Sequence, residues 1–394
     1  MSWIPDPSTR LPLTANTFTY NILPPILLYY ATAILVLLPR TLAIRIALWP
    51  LTLYAAFRAS TTVDLAKGYP DEEYLVFMNH GLVLAMSVLV MLASIWTFES
   101  NPYTRTHPTG NVFLDAFDLS FNLRGIGWSW SQGLRVAKET KDTSSLPSFL
   151  LSTFFAFLFH FFLFDAFLVI VQSFQGLDSP YGASIFDHTL PPLQRYTRSS
   201  LICFFSGLVI YHAIVLIQQL VAFLSLLLLP NGPNNNPTTW PPLFLAPWFT
   251  TSLNEFWSTR WHQLFRNIFI AFGGAPFYAI LGKFGAVFGA FLSSGILHWL
   301  GLWGMGRGTE FLRVAGYFLM MGAGTVLEFV FKLATGKRVG GFLGWMWSML
   351  WILGWGNMLC DAWLVRGLAG SKFMPDAWRP ALTLFKLIRS YVDM

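Results

Sequence analysis

Charge is what this chain has least of. Only 11% of its 394 residues are Asp, Glu, Lys or Arg, where soluble domains carry roughly a quarter, and that deficit excludes an ordinary soluble domain. Cysteine is nearly absent. Cys203 and Cys360 each sit in an apolar run, which excludes a disulfide framework and a cysteine metal site and leaves two packing residues. There is no G-x-S-x-G turn to present a serine nucleophile. Asp115-Ala116-Phe117-Asp118 has no second acidic motif to join it in holding a magnesium diphosphate. A net charge of +6 is spread through loops. That distribution suits lipid headgroups and the setting of topology, and no nucleic-acid partner is expected. The N-terminus, Met1-Ser2-Trp3-Ile4-Pro5-Asp6-Pro7, lacks a basic segment followed by an apolar core. A cleavable signal peptide is therefore not expected, and the first apolar run should serve for insertion.

What is present is apolar: 55% of residues are hydrophobic and 17% aromatic. A spanning helix needs about 20 mostly apolar residues. Ile22 to Leu38, Tyr74 to Trp96, Pro147 to Val171, Leu201 to Leu229, Leu264 to Leu281, Phe284 to Trp303, Phe311 to Phe331 and Gly340 to Val365 meet that need. Leu42 to Phe57 is marginal because of Arg45 and Pro50 and reads equally as an interfacial segment. The expected fold is all-α, a polytopic transmembrane bundle of eight or nine spans forming one integral-membrane domain over residues 1–394. No internal repeat is evident.

Between the spans, Glu99 to Leu146 turns polar and holds Arg124-Gly125-Ile126-Gly127-Trp128-Ser129-Trp130. The tryptophans suggest an anchor at the headgroup level. Asn79 and His80 near the start of one span read as interfacial. His160 and Asp165 within another read as internally hydrogen-bonded residues, with a catalytic role for either as the alternative. Pro230 to Pro237 is a hydrophilic breaker and must be an aqueous loop. Leu264 to Leu281 is interrupted by Gly273-Gly274-Ala275-Pro276.

The densest polar cluster is Asn254-Glu255-Phe256-Trp257-Ser258-Thr259-Arg260-Trp261-His262-Gln263-Leu264-Phe265-Arg266. As a helix it would put Trp257 and Trp261 on one face and His262 and Arg266 on a neighbouring one. An interfacial helix with snorkelling arginines explains that pattern as well as an active site does. A second histidine, His298, lies in an apolar run rich in small residues (Gly285, Gly289, Ser293, Ser294 and Gly295 among them), which allow neighbouring helices close approach. A histidine held inside such a bundle needs a partner or a task, and its pKa suits proton transfer near neutrality.

The runs Pro241-Pro242-Leu243-Phe244, Asn254-Glu255-Phe256-Trp257, Arg260 to Arg266 and Ser294-Gly295-Ile296-Leu297-His298 resemble the signature of the wax-synthase-type branch of the membrane-bound O-acyltransferase superfamily. Arg124 to Trp128 and Arg338-Val339-Gly340-Gly341-Phe342-Leu343-Gly344 resemble its fungal members. The resemblance covers about residues 120 to 365, and it departs at Asn254, where related sequences commonly carry Arg. It implies a multi-pass enzyme of the endoplasmic reticulum membrane that moves an acyl group from acyl-coenzyme A to a hydrophobic alcohol. Acetyl-coenzyme A and a terpenoid or polyketide acceptor are the first expectation, and a long-chain alcohol giving a wax ester is the alternative. It implies no bound cofactor and no metal. It maps the intramembrane histidine onto His298 and an upstream Asn-or-His position onto His262. Arg260 and Arg266 are expected to meet the coenzyme's phosphates, since guanidinium suits them, or equally to snorkel, and Asn254, Trp257 and Trp261 are the further expected substrate or coenzyme contacts.

A transporter without chemistry is the reading from a different class. The break at Gly273 to Pro276 fits it, but the missing repeat and the scarcity of charge inside the spans oppose it. A membrane prenyltransferase lacks its second acidic motif here, and a non-catalytic scaffold gives no reason for His298.

Overall fold

The computed structural model describes residues 4–131, 133–229 and 232–392. Met1, Ser2 and Trp3, Gln132, Pro230 and Asn231 at the head of the expected aqueous loop, and Asp393 and Met394 lie outside the described residues. The main helices in chain order are α1 (Ala15–Val36), α2 (Leu42–Thr62), α3 (Glu72–Phe98), α4 (Val112–Phe121), α5 (Leu146–Gln172), α6 (Pro192–Leu228), α7 and α8 (the two arms of Arg266–Gly304), α9 (Phe311–Thr335), α10 (Gly341–Leu364) and α11 (Pro380–Val392). Among the described residues, seven stretches are long and apolar enough to cross a membrane: α1, α2, α3, α5, α6, the joined pair α7–α8, and α9. The chain is a multi-pass membrane protein.

All nine apolar segments expected from sequence are helical, and three of them differ in detail. The marginal Leu42–Phe57 is part of a full helix. Its Arg45 is buried and donates to the carbonyls of Trp96 and, at 2.8 Å, Glu99. A cation against the carbonyl end of α3 complements that helix's dipole, so the charge is satisfied inside protein and does not count against the span. The second difference lies in the sixth and seventh segments. The sequence breaks at Gly273 to Pro276, but there a π-turn, Ile270–Gly274, carries the helix onward. Pro276 falls in the first turn of the renewed α-helix, where a missing N–H costs little. The true reversal is at Gly282, with φ +59° and ψ −145°, a conformation that a residue with a Cβ rarely adopts. The arms, residues 266–281 and 283–304, run back antiparallel: a Cβ on Gly273 would overlap Ser293 and Gly289, and one on Gly285 would overlap Phe277.

The chain forms two compact units. The first comprises Met1–Glu72, Val76–Val136 and Phe244–Met346. In it α2 packs on α1 and α3, and α8 on α3 and α9. Its core gathers Val36, Trp96, Leu119, Trp128, Ile268 and Leu297. Trp128 is thus not a headgroup anchor. Its indole N–H donates 2.7 Å to Asp118, whose carboxylate also lies 3.5 Å from Arg105. Arg105 reaches Asp115 at 3.3 Å as well. Burial of an indole is favourable once its N–H has such a partner, and the Asp115/Asp118 pair is engaged in building this loop.

The second unit comprises Glu73–Leu75, Ala137–Leu243 and Trp347–Met394. In it α5 lies along α6. Leu151, Phe155, Phe159 and Phe162 are exposed along one face of α5, while Phe149, Thr153, Phe164 and Leu168 are buried. A helix apolar on both its buried and exposed faces belongs in lipid. His160 and Asp165 are both internally hydrogen-bonded, each to other segments. His160 meets His212 of α6, Nδ1 to Nδ1 at 2.8 Å. Asp165, wholly buried, accepts from Arg379 at 2.7 Å and from the backbone N–H groups of Ala381 and Leu382 at 2.9 and 3.2 Å. This one carboxylate neutralises a buried guanidinium and caps α11, whose exposed face carries Leu384, Phe385, Leu387 and Ile388.

Removing one partner of a buried ion pair leaves the other charge uncompensated, at a cost of about 3–5 kcal/mol. Asp165→Ala is therefore expected to lower the thermal midpoint of the detergent-purified protein and to expose residues after Trp378 to limited proteolysis. An unchanged midpoint would show that Arg379 and α11 are held by other means.

Candidate functional site

The cluster Asn254 to Arg266 is not a continuous helix. It begins with a single turn, Leu253–Glu255, capped by Ser252, whose Oγ accepts the Glu255 N–H at 3.0 Å. A π-turn, Phe256–Arg260, follows. Trp261 then leaves helical geometry at φ −80°, ψ 151°. The carbonyls left open by this exit are taken by the buried side chain of Gln263, whose amide donates to Trp257 O at 3.0 Å and Trp261 O at 2.7 Å. The i, i+4 alignment expected of His262 and Arg266 is consequently lost, and His262 lies on a loop between two helical pieces.

Two carboxylates hold this loop. Glu328, buried on α9, accepts the N–H of Leu253 at 2.6 Å and of Asn254 at 2.9 Å. These are orphan donors at the start of a helical turn, and a negative charge is favoured there. Glu255 pairs with Arg260 at 2.7 Å and accepts the Thr251 N–H at 2.8 Å. Arg260 also donates to the carbonyls of Leu245 and Ala246 at 3.0 and 3.1 Å, so its guanidinium closes the 245–260 loop. Glu328 was not singled out by sequence reasoning. Its signal was available: a lone carboxylate inside an otherwise apolar span.

The rings expected at the site do assemble. Phe256 stacks on Trp261 at 5.3 Å and Trp257 meets Phe291 of α8 edge-on at 5.6 Å. His262 sits among Phe244, Trp261 and Phe265, with ring centroids 5.5 to 6.0 Å away. Its Nδ1 and the indole nitrogen of Trp257 are buried with no hydrogen-bond partner among the described residues. Trp345, just beyond the Arg338 to Gly344 stretch, donates 2.9 Å to the carbonyl of Trp248 and brings that stretch beside the loop. Asn254 is exposed. Arg266 donates 3.2 Å to Asn267 and lies near enough to Arg135 for the two cations to repel.

His298 is positioned by its own helix. Its Nδ1 lies 2.7 Å from the Ser294 carbonyl, one turn back. A carbonyl only accepts, so Nδ1 carries the proton and Nε2 of the neutral ring carries the lone pair. Its ring packs on Phe318 of α9 at 4.5 Å. His298 is within electrostatic reach of His262 and also of His80 on α3. The structure therefore brings His262, His298, Trp257 and Trp261 to one region. It ties Arg260 to the supporting loop and adds His80, which composition alone left as an interfacial residue.

Loss of Glu328 would leave two buried donors unpaired, a penalty of about 1–3 kcal/mol each. Glu328→Ala is expected to lower the thermal midpoint in detergent more than Glu328→Gln, which retains an acceptor; equal midpoints would remove Glu328 as the support of the loop. A second expectation concerns pH. His262 lies outside the spanning helices, and burial, aided by His298, pushes its imidazole down from 6.5 to about 3. Between those values the unfolded chain binds a proton that the folded chain refuses. Stability is thus fullest above about 6.5 and declines as pH falls toward 3. The midpoint of the parent protein should drop from about pH 7.5 to about pH 5, and by less in His262→Asn; identical slopes would assign the effect to another group.

A model of the membrane bound O-acyl transferase family matches residues 240–321. Acetyltransferase ple2 of Rhodocybe pseudopiperita is 25% identical over 264 residues, covering 63% of this chain and 64% of its own. Acetyltransferase eriL of Hericium erinaceus is 31% identical over 130 residues, 29% of this chain and 33% of its own. A long-chain-alcohol O-fatty-acyltransferase of Simmondsia chinensis is 29% identical over 106 residues, 25% and 30% of the two chains. The chain thus spans less than two thirds of the length of each of these relatives. It is a polytopic membrane protein whose residues 240–321, His262 and His298 among them, match the model of the membrane bound O-acyl transferase family.

Proposed function

We propose that this chain is an O-acyltransferase of the endoplasmic reticulum membrane that transfers an acyl group, acetyl in the first instance, from acyl-coenzyme A to a hydroxyl of a hydrophobic acceptor such as a terpenoid or polyketide. The observation that carries the proposal is the His298 tautomer. With Nδ1–H held by the Ser294 carbonyl, Nε2 is the basic nitrogen. It takes the proton of the acceptor hydroxyl as that oxygen attacks the thioester carbonyl. Charge develops on the carbonyl oxygen, and His262, kept neutral by burial, supplies an N–H to it. The tetrahedral adduct collapses with cleavage of the carbon–sulfur bond, and the imidazolium of His298 returns its proton to the thiolate. No covalent enzyme intermediate is required.

The paired cations Arg135 and Arg266 suit the phosphates of the coenzyme, since guanidinium groups match phosphate oxygens two by two. Arg260, committed to Glu255 and two carbonyls, takes a supporting part in this scheme. The aromatic wall of Phe256, Trp257 and Trp261 offers a bulky acceptor an apolar surface. Acetyl as the donor group draws support from the two fungal relatives named as acetyltransferases. The relative named for long-chain alcohols supports a second reading, fatty-acyl transfer to give a wax ester.

The test is acyl transfer in microsomes from cells expressing the parent chain or His298→Ala, supplied with labelled acetyl- or palmitoyl-coenzyme A and a panel of hydrophobic alcohols. Labelled ester from the parent, reduced by about 10²-fold or more in the variant, is the expected result for loss of a general base. The preferred label separates acetyl from fatty-acyl transfer. Ester undiminished in a folded His298→Ala protein would refute His298 as the base.

A further inference from the structure

His80 has no part in the reaction as derived, yet it stands at the same place. Its backbone is anchored by its neighbour: Asn79 accepts the Leu65 N–H at 2.7 Å and donates 2.6 Å to Asp64. That fixes the start of α3 and the direction of the next side chain. The His80 ring lies against Gly301 of α8, where a Cβ would come within 2.6 Å of His80 Nε2. Gly301 follows His298 by three residues, so the two positions share a helix face. His80 and His298 are within electrostatic reach of each other. His80 Nε2 is buried with no hydrogen-bond partner among the described residues.

A buried imidazole nitrogen without a partner inside a membrane protein is unfavourable unless a ligand completes it. His298 on α8 is within electrostatic reach of two further imidazoles on separate segments, His262 on the capped loop and His80 on α3. An attacking hydroxyl offers one hydrogen and two lone pairs. The hydrogen goes to His298 and one lone pair attacks the carbonyl. The remaining lone pair has no donor in the scheme.

We infer that His80 is an acceptor-binding residue, whose Nε2–H donates to the hydroxyl oxygen of the alcohol and aims it at His298. The inference rests on the acyltransferase reading above. It assigns the alcohol side of the site to α3 and leaves the thioester side to the loop that carries His262. It also explains glycine at 301, since a methyl group there would push the ring away from its place.

The experiment uses the full-length protein in microsomes, with labelled acetyl-coenzyme A and two probe alcohols, farnesol and hexadecanol. The parent is compared with His80→Phe, His80→Gln and Gly301→Ala, and thermal midpoints of the purified proteins are recorded alongside. In His80→Phe the KM for the alcohol is expected to rise about tenfold, the loss of one hydrogen bond, while the KM for acetyl-coenzyme A stays within about twofold. His80→Gln, which keeps an N–H donor, should recover part of that loss, and Gly301→Ala should reproduce it in kind. An unchanged alcohol KM in a folded His80→Phe protein, or an equal rise in both KM values, would overturn the inference while the acyltransferase reading stood. No ester from the parent with either alcohol or with the wider panel would instead reject the reading itself, and this inference with it.

Discussion

In a chain this poor in charge, every buried polar group must find its partner within the protein, because hydrocarbon offers none. That constraint organises both units. Arg45 is tolerable inside α2 because it lies against the carbonyl end of α3. Asp165 neutralises Arg379 and caps the last helix with the same two oxygens. Glu328 does comparable work for a single helical turn, taking the two N–H groups that the Ser252 cap leaves open. Each is one charge placed where several unsatisfied groups converge, which is how a few ionic residues hold a large apolar fold in register.

Near His298, His80 Nε2, His262 Nδ1 and the Trp257 indole N–H are among the buried polar atoms without partners among the described residues. Native interiors leave few such groups. In the proposed reaction, polar atoms of the substrates would complete those beside His298, the histidine whose tautomer is set by a carbonyl. The surrounding elements are rigid in the places that matter. The capped turn, the Glu328 anchor and the close seating of α8 on α3 and α9 hold the side chains from three directions.

Much of this was legible in the residues. The nine apolar segments, the clustering of polar residues from Asn254 to Arg266 and the lone His298 among small residues follow from length, hydropathy and the expense of polar groups in lipid. What misled was local pattern taken without partners. Trp128 reads as a headgroup anchor until Asp118 is found beneath it. Arg45 reads as a flaw in a span until the carbonyls of α3 are seen around it. The helical spacing of His262 and Arg266 dissolves because Trp261 turns out of the helix and Gln263 seals the end.

By itself the sequence determined the class of protein, the stretches that become helices and the residue types able to move a proton, since these depend on composition and on neighbours along the chain. Tertiary structure alone decided which groups meet. Gly282, and not the Gly–Pro break before it, reverses the chain and sets α7 against α8. Glu328 reaches back across 74 residues to hold the loop of His262, and the seat on Gly301 carries His80 to the neighbourhood of His298. Such pairings depend on the packing of distant segments, and no local period or propensity encodes them.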